Sequence, residues 1–125
     1  MKAVALDHMV LVVEDVEATC RFYGRVLGME PLERAPGWWV LPLGDHMISV
    51  RQVGELPDIA AGTTPGSGNF CVLTDLPIDD VVAHLSELGI AVVEGPVERL
   101  GAVGPMMSVY FHDPDGNLVE VAEPT

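Results

Sequence analysis

The chain has 125 residues, 49% of them hydrophobic, which suits one domain with its own core and excludes a disordered polar chain. Nineteen acidic residues against six basic ones give a net charge of −13. Phosphate contacts need clustered Lys and Arg, so nucleic acid is excluded as a partner.

Two Cys are too few for a disulfide framework. No apolar run approaches the roughly 20 residues of a membrane span. The opening residues, MKAVALDHMV, lack the apolar stretch of a signal peptide, so the expected compartment is the cytosol by default. The acidic excess would attract a cationic ligand; the simpler reading is that scattered carboxylates keep a hydrophobic domain soluble.

Leu6 to Val13 reads as a buried strand, with His8, Val10 and Val12 on one face and Met9, Leu11 and Val13 on the other. Asp15 is placed to cap a helix. Val16, Thr19, Cys20, Tyr23, Val26 and Leu27 follow at helical spacing, and Gly28 ends that helix. Three short strands are expected around residues 30–34, 37–43 and 46–53, with Gly44-Asp45 turning between the last two. Residues 54–68 carry Pro, Gly and small polar side chains without periodicity and read as a linker.

The pattern then restarts. Phe70 to Thr74 reads as a strand, and Ile78, Val81, Val82, Leu85 and Leu88 mark a helix that Gly89 ends. Ile90 to Glu94 is expected to be a strand. In Met106 to Val121, apolar alternation on both sides of Asp113-Pro114-Asp115-Gly116 predicts a hairpin. Glu120 shares a face with Leu118 and Ala122, and a carboxylate on an inner face needs a partner or a metal.

The two halves form a repeat. Leu27-Gly28 and Leu88-Gly89 end the helices, and the same offset carries His8 onto Asn69. Aligning Met47, Ile48 and Val50 with Leu118, Val119 and Val121 sets Ser49 opposite Glu120. The fold class is therefore α+β: two βαβββ modules, 1–53 and 69–125, with curled, mostly antiparallel sheets and helices outside. His8, Ser49, Asn69 and Glu120 are its four pseudo-equivalent positions.

Leu6-Asp7-His8, Phe22-Tyr23 before Leu27-Gly28-Met29-Glu30, and the run from Tyr110 to Val121 resemble the vicinal oxygen chelate superfamily. This group includes glyoxalase I, extradiol dioxygenases and bleomycin-resistance proteins, and the likeness spans essentially the whole chain. Pro65-Gly66-Ser67, Glu94-Gly95-Pro96-Val97 and Gly104-Pro105-Met106 look like its small single-domain glyoxalase-like subgroup. The resemblance implies a divalent ion (Ni, Zn, Mn, Mg or Fe) with open positions for two vicinal oxygens of a small substrate. His8 would be the imidazole ligand and Glu120 the carboxylate ligand and proton carrier. Asn69 stands where the family commonly has His, and Ser49 where glyoxalase I has a carboxylate. Asn69 would be a weak third ligand and serine ordinarily none.

Two readings follow. One is a metal-dependent lyase, isomerase or dioxygenase; the other is a metal-free small-molecule binding protein of the bleomycin-resistance type. In both, Trp38 or Trp39, Phe70 and Tyr110 are candidates to line the cavity, and Arg51 to bind a substrate carboxylate. His8 and Glu120 also fit a buried hydrogen-bonded pair without an ion. Cys71 lies on the face of Asn69 and fits either a site thiolate or a small core residue. Cys20 reads as core; His46, His84 and His112 read as surface. The expected partners are a small molecule and a second copy of the chain, with no membrane.

Overall fold

The computed structural model describes residues 1–55 and 60–125, so residues 56–59 of the expected linker lie outside the described residues. The chain divides into two units, Met1–Ser67 and Gly68–Thr125. The first contains β1 (His8–Val13), α1 (Val16–Leu27), β2 (Leu32–Ala35), β3 (Trp38–Leu43) and β4 (His46–Gln52). The second repeats the order with β5 (Asn69–Leu73), α2 (Ile78–Glu87), β6 (Glu94–Leu100), β7 (Pro105–His112) and β8 (Leu118–Pro124). The α+β class and two four-stranded sheets agree with the reading from sequence.

Each sheet closes the same way. The orders are β1-β4-β3-β2 and β5-β8-β7-β6, with β1 parallel to β4 and β5 parallel to β8. The remaining neighbours are antiparallel hairpin partners. Parallel strands cannot be joined by a tight turn, so the helix in each unit leads the crossover.

One face of each sheet packs on its helix. In the first unit this face carries Leu11, Val13, Leu41, Ile48 and Val50, all buried with Cys20, Tyr23 and Val26 of α1. In the second it carries Val72, Val109, Phe111, Val119 and Val121, buried with Val81 and Leu85 of α2. Because side chains alternate along a strand, His8, Ser49, Asn69 and Glu120 fall on the faces away from these cores. The face of Glu120 is thus the inner face only in the sense of a hollow, since the packed core lies behind it.

Capping follows the sequence signals. Asp15 is extended and its Oδ1 accepts the Ala18 N–H at 3.1 Å. Gly28, at φ 65°, ends α1 in the left-handed region where a side chain would be strained. The last strand of each sheet also reaches the helix start. Gln52 Oε1 accepts the Val16 N–H at 3.2 Å, and Glu123 Oε2 accepts the Ile78 N–H at 2.9 Å. Each lies three residues beyond Ser49 or Glu120, so the repeat extends to its polar contacts. A carboxylate suits the positive end of α2, whose N-cap Pro77 supplies no side-chain acceptor.

Two expectations need correction. The first strand begins at His8 rather than Leu6. The strand expected at Ile90 to Glu94 is instead β6, from Glu94 to Leu100. Gly95-Pro96 reads as punctuation in the sequence, yet a proline is tolerated on an edge strand, where its missing N–H breaks no ladder. β6 is such an edge, and its pairing with β7 shifts register between Glu94 and Val97 to pass the Gly-Pro pair.

The DPDGN turn is held from inside. Asp113 Oδ1 accepts the N–H groups of Asp115 (2.9 Å) and Asn117 (3.0 Å), and its Oδ2 accepts Asn117 Nδ2 at 2.8 Å. Asn117, 1% exposed, accepts the Gly68 N–H at 2.7 Å through Oδ1. One buried amide therefore fixes the hairpin turn and the start of β5 together. Asn117→Ala takes the acceptor from the Gly68 N–H and one donor from buried Asp113. It should lower stability by about 2–3 kcal/mol, read as the urea midpoint at unchanged m-value; a change under about 0.5 kcal/mol would contradict this role.

Candidate functional site

On the open face of the second sheet, Glu120 pairs with Cys71 on β5 and with Tyr110 on β7, while Tyr110 pairs with Glu94 on β6. Four neighbouring strands thus present Cys71, Glu120, Tyr110 and Glu94 in one row. Arg99 completes it. Its Nε donates to the Tyr110 hydroxyl at 3.1 Å and its Nη2 to Glu94 Oε1 at 2.9 Å. Its guanidinium lies 5.5 Å from the centre of the Tyr110 ring, within cation–π range.

Glu120 joins this network through hydrogen bonds with Cys71 and Tyr110, yet one of its oxygens stands apart. Its Oε1 is buried and has no hydrogen-bond partner among the described residues. An ionised carboxylate normally collects several donors when taken out of water. Its charge is felt next door. Burial, then the Glu120 carboxylate, pushes the Cys71 thiol up to about 11. Burial also raises the Tyr110 phenol; the Arg99 hydrogen bond and charge oppose this, and Glu120 adds to it. Both neighbours are therefore protonated at neutral pH, and neither supplies a countercharge to Glu120.

In the first sheet the equivalent row differs. Ser49 pairs with Val10 and Val40, the ladder positions that Cys71 and Tyr110 hold around Glu120. Ser49 is buried, and its Oγ accepts the Trp38 Nε1–H at 3.1 Å. Where the second unit has a carboxylate, the first therefore has a hydroxyl that anchors an indole. The Arg34 guanidinium lies 5.1 Å from the Trp38 ring centre.

The other predicted residues sort by strand alternation. Trp38 lies on the open face with Ser49. Trp39 pairs with core residue Val50 and lines an apolar trough beside Cys20 and Gly24 of α1. Phe70 pairs with buried Val119, so it lies on the core side, away from Glu120. Cys71 is exposed rather than core, because its alternation puts it beside Glu120. Asn69 is exposed on the same face as Cys71, and Arg51 shares the face of Ser49. His46 and His112 are exposed and His84 half-buried; Cys20 is buried. Glu94, Arg99 and Arg34 escaped the sequence reading. Expecting a strand to end at Glu94 hid the alternation that sets Arg99 on Tyr110's face.

Each unit offers one donor that suits a cation. Glu120 Oε1 is an unclaimed buried acceptor, and His8 directs Nδ1 to Asp7 Oδ2 at 2.8 Å, leaving Nε2 free. A carboxylate behind the distal nitrogen is the usual support of a metal-bound imidazole. Within neither unit do three His, Cys, Asp or Glu side chains gather among the described residues. No helix among the described residues is long and apolar enough to cross a membrane.

A family model described as the Glyoxalase/Bleomycin resistance protein/Dioxygenase superfamily matches residues 5–121. Virulence protein STM3117 of Salmonella typhimurium is 44% identical over 119 residues, covering 94% of this chain and 83% of that protein. Its crystal structure superposes with a TM-score of 0.95 and 42% identity over the full length of both chains. The lactoylglutathione lyase of Agrobacterium tumefaciens has a TM-score of 0.76 at 28% identity, covering 98% of this chain and 96% of that one. TnmS3, an antibiotic binding protein from Streptomyces sp. CB03234, has a TM-score of 0.74 at 27% identity over the whole of both.

A thiol pushed up to about 11 is about one part in a thousand thiolate at pH 8, and only the thiolate is alkylated. Iodoacetamide at pH 8, with chelator present, should therefore react slowly with native Cys71. Glu120→Gln removes the charge that opposes ionisation and should speed the reaction several-fold, while buried Cys20 stays inert. Equal rates in both proteins, followed by mass spectrometry, would show that Glu120 does not act on Cys71.

Proposed function

Because the chain belongs to the Glyoxalase/Bleomycin resistance protein/Dioxygenase superfamily, we propose that it is a metal-dependent enzyme. Its reaction would be of the lyase, isomerase or dioxygenase type, on a small substrate with adjacent oxygens. The observation that carries this reading is Glu120 Oε1, buried without a hydrogen-bond donor among the described residues. The carboxylate meets only the neutral Cys71 and Tyr110, and no basic side chain forms an ion pair with it among the described residues. It is well explained as a group awaiting a cation.

Glu120 and His8 Nε2 would hold a divalent ion, with the Asn69 amide oxygen as a weak third donor. The chemistry such an ion supplies when bound is polarisation of adjacent substrate oxygens. Glu120 would also carry a proton between substrate positions. Tyr110, kept protonated, offers a neutral hydrogen bond beside it, and Arg99 holds its ring in place. Ser49 is excluded from the ligand set, its oxygen already engaged by Trp38. We propose that the protein works as a homodimer.

A second reading has its own support. Trp38 stands on an open face next to a cavity of about 570 Å³, a size suited to a small ligand. TnmS3, 27% identical, is an antibiotic binding protein. A metal-free binder would use Trp38 as a planar wall and would leave Glu120 idle.

Metal analysis of tag-free protein, then chelator stripping and calorimetric add-back, separates the two. On the enzyme reading the parent binds a divalent ion near one equivalent per chain and melts higher when loaded. His8→Ala and Glu120→Gln should each abolish tight binding, and Asn69→His should strengthen it by supplying an imidazole. Equal metal content in the parent and both loss variants would eliminate the enzyme reading and leave the binder.

A further inference from the structure

Arg51, a sequence candidate for a substrate carboxylate, takes no part in the metal reading, and its surroundings are unusual. It lies on β4 two residues beyond Ser49, hence on the same open face. The side chain is half-buried, and its Nε is fully buried with no hydrogen-bond partner among the described residues. Among the described residues the ion pairs are those of His8, Arg21 and Arg99; Arg51 forms none.

A guanidinium is never neutral in a protein, so an unpaired one that loses water carries a cost no proton loss can relieve. Structural arginines escape that cost by meeting a carboxylate or carbonyl groups. Arg51 instead borders the cavity of about 570 Å³ formed with Pro36, Gly37, Trp38 and Glu55. Trp38 is fixed there from two sides, by its hydrogen bond to Ser49 and by Arg34 against its ring. Arg34 and Arg51 are two of only six basic residues in a chain of net charge −13. One stands against the Trp38 ring and the other lines the cavity beside it.

We propose that this cavity is a recognition site for a small planar monocarboxylate. The carboxylate takes the unused Nε and a terminal nitrogen of Arg51 as a paired hydrogen bond. The flat body of the ligand lies against Trp38. Glu55, exposed at the rim, disfavours a second negative charge, which restricts the class to monoanions. Nothing in this site uses His8 or Glu120, so it stands or falls separately from the metal.

Benzoate and benzamide are suitable probes, since they share a shape and differ in charge. Binding to the full chain is followed by calorimetry and tryptophan fluorescence, with and without EDTA. Benzoate should bind saturably in the millimolar range or tighter, and at least about tenfold more tightly than benzamide. Arg51→Gln should remove that preference without lowering the melting temperature, because no native partner is lost. Trp38→Leu should weaken both probes alike. Saturable binding that survives EDTA separates this site from a carboxylate bound through a metal. The proposal is overturned if benzoate does not saturate, if it needs the metal, if Arg51→Gln binds it as the parent does, or if that variant is destabilised by loss of a structural contact.

Discussion

In each unit the last strand returns parallel to the first, and this one pairing decides what every other residue can do. It sets β4 between β1 and β3, and β8 between β5 and β7, so the closing strand is central and flanked on both sides. A central strand has no free edge, and its register is fixed by two ladders at once. A one-residue slip would carry Glu120 into the helix-packed core and Val119 out of it. The apolar cost of that exchange holds the carboxylate on the open face more firmly than any contact of its own.

From the shared frame the two halves diverge in their polar chemistry. Gln52 and Glu123 occupy matching positions and do the same work, each accepting the first N–H of its unit's helix. Ser49 and Glu120 also match, yet one is satisfied by Trp38 and the other is left with an unclaimed oxygen. Duplication explains the common positions. The difference between a spent acceptor and an open one separates a wall that anchors an aromatic ring from a wall that can hold a charge.

Much of this was legible in the sequence because it rests on period and punctuation. The bounds of α1 follow from Asp15 and Gly28, and the last hairpin follows from alternation around Asp113 to Asn117. Glu120 stood out because a carboxylate in an alternating apolar run must be explained. Other features were hidden for physical reasons. Gly95-Pro96 looks like a break but sits in an edge strand with a register shift, which concealed Arg99. Alternation alone could not say which of Trp38 and Trp39 faces the helix; the pairing of Trp39 with Val50 decides it. Cys71 looked like core by residue type, and only its ladder partner shows why it is exposed beside Glu120. The unpaired state of Arg51 is a property of three-dimensional neighbours and leaves no mark in the chain.

The central claim is that the Glu120 carboxylate is maintained for something it binds and not for the fold. The most direct measurement is the thermal stability of Glu120→Gln against the parent, both stripped of divalent ions. If the carboxylate is kept for a cation, replacing it with the isosteric amide predicts that the variant melts at the same temperature or higher. A fall of more than about 4 °C, equivalent to about 1 kcal/mol for a domain of this size, would mean that the carboxylate supports the structure and would contradict the account.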